Sequence, residues 1–369
     1  MAGAIGLLDV LGSVDWAREG SIPLQRTARR FAIGMTGAVA AVTVTLLFGG
    51  LAFARALRSP STDQPEISET GCNGSQELCD LTLAEVVLPG THNAMAASAD
   101  DFFGARQTAG VGAQLASGIR AFMLDLHYGV DRDGYVRSDF GSRGDELAAS
   151  QLDPVDRALT EGVEAFLGAS SDERQVYLCH LYCEWGATRA VDTFRVIDDF
   201  LRENPNEVIV LILEDYVDPV DAVEALKKSG LGRHALRWDP GEPLPTLREM
   251  IERKRNVLVL VENEGGAEPW YVPAFEALEE TPYRFDSRGD FSCEPNRGLG
   301  GKPLFLVNHW VTLTSSDPLV AADVNQSEVL FDRVEECEEE RDRRPNIIAV
   351  DFVGHGDLFD VVAELNASE

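Results

Sequence analysis

Val86-Val87-Leu88-Pro89-Gly90-Thr91-His92-Asn93 joins a β-branched apolar run to a Pro-Gly pair, and the pair to an imidazole and an amide. A short apolar run of this kind reads as a buried strand, here 84–88, and Pro-Gly reads as the punctuation that ends it. The strand then delivers Thr91-His92-Asn93 to the edge of a sheet. A lone histidine in such a place also suits a plain turn, so the rest of the chain decides.

Six more apolar runs follow, at 119–126, 174–179, 207–213, 256–261, 303–307 and 346–350. Helical patterns lie between them. In 188–203, Val191, Phe194, Ile197 and Leu201 fall on one face at steps of three and four. The others are 220–229, 246–254, 273–280, 327–340 and 357–365. Nearly continuous apolar strands alternating with helices predict an α/β fold with a parallel sheet covered on both sides. A distorted (β/α)8 barrel of the TIM type is favoured over an open doubly wound sheet, because no G-x-G-x-x-G follows the first strand. The eighth strand is expected in 128–150 or 231–240. The Gly- and Asp-rich 128–150 is also long enough to cover a site.

The ends of these strands share one chemistry. The first leads to His92-Asn93, the second to Asp125 and His127, and the third to His180. The later ones lead to Glu214-Asp215, Glu262 and Glu264, Asn308-His309, and Asp351 with His355. Of six histidines, only His234 lies away from a strand end. In a barrel these ends form the face on which active sites are built. His92 and His180 suit general acid–base chemistry near neutral pH, and neither sits in a G-x-S-x-G elbow. Asp125 and Glu214 are placed to orient the rings or to hold a divalent cation, with Asn93 adding a neutral oxygen of the kind Ca²⁺ accepts.

Residues 31–54 run for 24 positions without a charge, the length of a transmembrane helix. Arg26, Arg29 and Arg30 precede the run, which places residues 1–30 in the cytoplasm. A polar linker, 55–71, leads to a domain over 72–369. All six cysteines lie beyond the span, as in an exported domain. Cys72–Cys79 and Cys293–Cys337 are the expected pairs; Cys179 and Cys183 are open to local pairing or to a metal. The chain is thus expected at the cell membrane as a single-pass protein with its main domain outside. A net charge of −30 disfavours nucleic acid as a partner.

Leu88-Pro89-Gly90-Thr91-His92-Asn93, Gly118-Ile119-Arg120-Ala121-Phe122-Met123-Leu124-Asp125-Leu126, Leu178-Cys179-His180 and Asn204-Pro205-Asn206-Glu207 through Glu214-Asp215 resemble the X-region of phosphatidylinositol-specific phospholipase C. Asn308-His309-Trp310 and Pro345 through Phe352 resemble its secreted, cysteine-containing branch. The resemblance implies a distorted barrel that cleaves phosphatidylinositol or a related phosphodiester, with a head-group alcohol attacking phosphorus to give a cyclic phosphate. It makes His92 the base and His180 the acid, and it matches Asn93, Asp125 and Glu214 to calcium ligands. His127, His309 and Asp351 are candidates for binding substrate or stabilising charge. Two positions depart from the family. Met123 stands where the calcium branch has a glutamate, and His127 stands where the metal-independent bacterial branch has an arginine, so His127 is the candidate replacement cation. The alternatives are a head-group- or glycan-binding protein on the same barrel, or a glycerophosphodiesterase.

Overall fold

The computed structural model describes residues 71–132, 134–139, 174–312 and 317–367. Within them the strands are β1 (Leu88–Thr91), β2 (Ala121–Arg132), β3 (Tyr135–Ser138), β4 (Gln175–Leu178), β5 (Thr188–Arg189) and β6 (Ile209–Asp215). They continue with β7 (Val257–Val261), β8 (Tyr271–Pro273), β9 (Leu278–Glu280), β10 (Leu304–His309) and β11 (Ile347–Val350). Eight of these pair side by side in the order β8-β7-β6-β2-β1-β11-β10-β9, and every link along that path is parallel.

Read as a circle, this is sequence order with a single seam. No ladder joins β8 to β9; the one-turn helix Ala274–Ala277 connects them instead. One apolar cluster shows that the sheet curls onto itself. It takes Leu88, Met123, Ile212, Leu260, Val272, Leu278, Leu306 and Ala349, one residue from each of the eight strands. The opposite sides of the strands, including Phe122, Leu213, Val259 and Val350, pack under helices Val111–Ser117, Ala190–Glu203, Pro219–Ser229 and Leu358–Ala367. Burial on both sides explains why these strands read as unbroken apolar runs.

Several expectations shift. The first strand begins at Leu88, later than 84–88, and contains the Pro-Gly pair rather than ending at it. Pro89 fits a central strand because the ladder to β2 starts only at Gly90, while Leu88 donates its N–H to Asn346 O at 2.7 Å. Gly90 lets β11 approach closely; a Cβ there would lie 3.0 Å from Ile347 Cγ2 and 3.2 Å from Ile348 O. The run 174–179 forms β4, but β4 is antiparallel to β2 and stands outside the parallel array. The pattern at 273–280 is a single helical turn between β8 and β9, and these two short strands complete the eight, since β4 leaves only six of the seven expected strands in the parallel array. Within 128–150 the described residues form the end of β2 and the antiparallel β3, and 231–240 holds no strand, so neither supplies a parallel member; 133 and 140–150 lie outside the described residues.

Disulfides join Cys72–Cys79, Cys179–Cys183 and Cys293–Cys337, so Cys179 and Cys183 pair locally. The apolar span 31–54 lies outside the described residues. Among those described, no helix is long and apolar enough to cross a membrane. Replacing Gly90 by valine forces a branched side chain against β11, and overpacking of this kind costs about 1–3 kcal/mol. A lower thermal midpoint for Gly90→Val than for a variant at an exposed glycine with open space around it, such as Gly354→Val, is the expected outcome in a melting experiment.

Candidate active site

A strand's pleat sends every second side chain to the same side. The inward row of β2 reads Ala121, Met123, Asp125, His127; that of β6 reads Val210, Ile212, Glu214. On β7, Leu258 and Leu260 lead to Glu262. On β10, Leu304 and Leu306 lead to Asn308, and on β11, Ile347 and Ala349 lead to Asp351. Each row is apolar low in the barrel and turns polar where the strand ends, giving a dry floor beneath a polar mouth. Met123 belongs to that floor, in the same apolar cluster as Leu88 and Ile212.

His92 follows β1 into the mouth. Its Nδ1 hydrogen bonds Asp351 Oδ1 at 2.8 Å, and Arg106 Nη1 meets the other Asp351 oxygen at 3.3 Å. Asn93 adopts φ 46°, a left-handed conformation that asparagine tolerates, and its side-chain amide lies 2.9 Å from His92 Nε2. The far end of the amide is 3.0 and 3.1 Å from the two Asp125 oxygens. His180 arrives because β4 runs against β2, with Leu178 opposite Leu126, so the chain leaving β4 descends to the level of Asp125. Cys179 N–H donates to Asp125 O at 3.3 Å, His180 Nδ1 lies 3.2 Å from Asp125 Oδ2, and the Cys179–Cys183 disulfide closes the loop around the ring.

The Asn93 amide suits two protonation states. With a neutral His92 carrying its proton on Nδ1, the Nε2 lone pair accepts a hydrogen bond from the Asn93 N–H, and Asn93 Oδ1 accepts one from a protonated Asp125. Turned over, Nδ2 donates to Asp125 and Oδ1 accepts from both histidines, which suits a charged His92.

Burial sets the charges. It pushes the Asp125 carboxyl up to about 8, with Arg106 opposing. Burial and the neighbouring Asp125 raise Glu214, while Tyr216 OH (2.7 Å) and Arg297 work the other way. Burial and Glu214 raise Glu262 well above the usual carboxylate range. Burial, then Arg106, brings His180 down to about 4; burial lowers His92 as well, against the pull of Asp351. At neutral pH Asp125 therefore holds its proton while the His92 and His180 rings are neutral.

Across the mouth, Arg297 bonds both Glu262 oxygens, at 2.6 and 3.3 Å, and also Glu280. Those two carboxylates hold it charged although burial works against it. Asn308 Nδ2 donates to Glu280 Oε2 at 3.2 Å.

The structure thus gathers His92, Asn93, Asp125, His180, Glu214 and Asp351. Asp351 serves His92 directly. His127 enters the mouth stacked on Tyr216 at 4.6 Å, and burial takes it down to about 3, which disfavours a positive charge on this ring. His309 lies on the outer side of β10, opposite Val350, and its Nε2 bonds Val324 O at 2.8 Å; it does not join the site. His355 also stays outside, 3.5 Å from Thr108 Oγ1. Arg106, Tyr216, Glu280, Arg297 and Trp310 are additions.

Asn93, Asp125 and Glu214 fit Ca²⁺ poorly. Calcium takes six to eight oxygens, whereas Asp125 is already engaged by Asn93 and His180, and Glu214 by Tyr216. No group of three or more His, Cys, Asp or Glu among the described residues has the geometry to hold a metal.

A PI-PLC X 1 family model matches residues 134–366, a span that begins after His92 and Asp125. PI-PLC X domain-containing protein 1 of Arthroderma benhamiae is 23% identical over 336 residues, covering 82% of this chain and 91% of that protein. A PI-PLC X domain-containing protein of Arabidopsis thaliana is 25% identical over 242 residues, covering 59% and 55%. Among solved structures, phosphatidylinositol-specific phospholipase C from Listeria monocytogenes aligns with a TM-score of 0.45 at 17% identity, covering 78% of this chain and 94% of that one.

A carboxyl that titrates higher folded than unfolded binds its proton more tightly when folded, so it weakens the fold as pH rises from its unfolded value to its folded one. Asparagine mimics the protonated form of Asp125. Asp125→Asn is therefore expected to match wild type near pH 4 and to gain an advantage that levels off near pH 8. The gain, at least about 2 °C in melting temperature, is read from thermal scans across that range.

Proposed function

The chain belongs to the PI-PLC X family, and we propose that it cleaves a phosphodiester, phosphatidylinositol or a lipid of related head group, by acid–base catalysis from His92 and His180. One observation carries this reading. Two imidazoles from separate elements each rest on their own buried carboxylate, His92 on Asp351 and His180 on Asp125, with Asn93 between them.

In the proposed reaction a head-group hydroxyl replaces the Asn93 N–H on His92 Nε2 and gives its proton to that ring. Its oxygen bonds to phosphorus as the bond to the glyceride oxygen breaks, and that oxygen takes its proton from the His180–Asp125 pair. Asp125 supplies the pair's proton at neutral pH, since burial keeps the ring neutral. Asp351 and Arg106 hold His92 in place as its charge appears. On the far side, Glu214, Glu262, Glu280 and Arg297 alternate acceptors with a donor fork, an arrangement suited to a polyhydroxylated head group. No step runs through calcium. The uncharged span 31–54 and the three disulfides support a tethered domain outside the cytoplasm.

Phosphorus NMR on phosphatidylinositol is expected to show a cyclic phosphate first; a linear phosphomonoester without it would point to a glycerophosphodiesterase. His92→Ala and His180→Ala should each lower the rate by roughly 10²–10⁴-fold. Undiminished activity in either variant would remove that residue from the chemistry. A calcium chelator is expected to leave the rate unchanged, and a loss restored by added Ca²⁺ would reverse that assignment.

A further inference from the structure

Trp310 lies face to face with His92, ring centroids 3.8 Å apart and planes 3° from parallel. It follows β10 on the inward side, is 3% exposed, and belongs to the apolar cluster of the barrel interior. One face of the indole therefore borders the dry floor while the other meets the imidazole.

The hydrogen bonds of His92 leave something undone. Nδ1 to Asp351 and Nε2 to Asn93 both act within the ring plane. They hold the ring at its two nitrogens and leave its faces uncovered. A stacked indole resists tilting directly. An indole face is also the strongest of the aromatic partners for a cation. It packs against the neutral ring and attracts the imidazolium, without adding a charge that would need its own partner. Arg106 and His180 oppose positive charge on His92, and Asp351 favours it. Trp310 adds to the favourable side from a direction the carboxylate does not cover.

We propose that Trp310 is a positioning residue for the base. It holds the plane of His92 so that Nε2 meets the attacking hydroxyl, and it stabilises the ring once the proton has moved. The proposal rests on the acid–base reading of His92. An indole serving only as core packing predicts no preference for the charged state of the ring and no dependence on His92.

The test compares wild type, Trp310→Phe and Trp310→Leu, each with and without His92→Ala, on phosphatidylinositol in mixed micelles. Cation–π attraction of about 0.5–2 kcal/mol corresponds to roughly 2–30-fold in rate. The leucine variant is expected to lose that factor in kcat with KM within about twofold, and phenylalanine to recover most of it. On the His92→Ala background the leucine change is expected to cost nothing more, as for residues acting as one unit. A rise in KM alone, or an equal loss without His92, overturns the proposal.

NMR of histidine-labelled protein tests the stack without turnover. The carbon-bound ring protons of His92 are expected upfield of free histidine in wild type and closer to it in the leucine variant. Turnover with an unshifted wild-type ring overturns the role of Trp310 alone. A shifted ring with no turnover of any phosphodiester overturns the acid–base reading and the role with it.

Discussion

A buried polar group needs a partner, and the mouth of this barrel meets that demand with one continuous chain of contacts. It runs from Arg106 to Asp351, His92, Asn93, Asp125 and His180. Each member removed would strand its neighbours, most of all the buried Asn93, Asp125 and Asp351, where an unpaired polar group is costly. The fold serves the chain. β1 delivers two consecutive members, β2 and β11 deliver one each from their inward rows, and β4 reverses direction to bring the last one down. Arg106 comes from the segment after β1, and its backbone carbonyl accepts the Phe352 N–H at 2.8 Å, tying that segment to the turn after Asp351.

Much of this was legible in residue order alone. Apolar runs ending in His, Asp or Glu mark inward rows that change from floor to mouth, which is why His92, Asp125, Glu214 and Asp351 could be named before any coordinate was known. His309 shows the limit of that reasoning. It ends a strand as plainly as His92 does, but one step of the pleat turns it outward, and runs apolar on both sides do not reveal which parity faces in. The direction of β4 was equally hidden, because an apolar run carries no sign of parallel or antiparallel pairing. Arg297 and Arg106 lie in loops without periodicity. Only the unbalanced carboxylates of the strand ends hinted that cations would be needed there, and nothing in the order of residues said which.

The crowding of Asp125, Glu214 and Glu262 gives the site its chemical character at some cost in stability. Burial raises all three, and the neighbouring carboxylates add to it at Glu214 and Glu262, so at neutral pH Asp125 keeps a proton that a water-exposed carboxylate would have released. This stored acid complements rings that burial keeps neutral. A mouth built from the usual imidazolium–carboxylate pairs would hold opposite charges in the same positions and have no neutral lone pair to act as a base.

The seam between β8 and β9 gives Arg297 a mechanical duty. A ladder closed all the way round fixes the girth of a barrel through backbone hydrogen bonds, and this ladder stops one link short. Arg297 spans the break, bonded to Glu262 beyond β7 on one side and to Glu280 of β9 on the other, with its guanidinium 4.4 Å from the Phe275 ring centre and 4.9 Å from that of Tyr283. A side-chain clasp therefore stands where the rest of the circumference has main chain. At that point two ion pairs, and not a sheet, bridge the rim of the mouth.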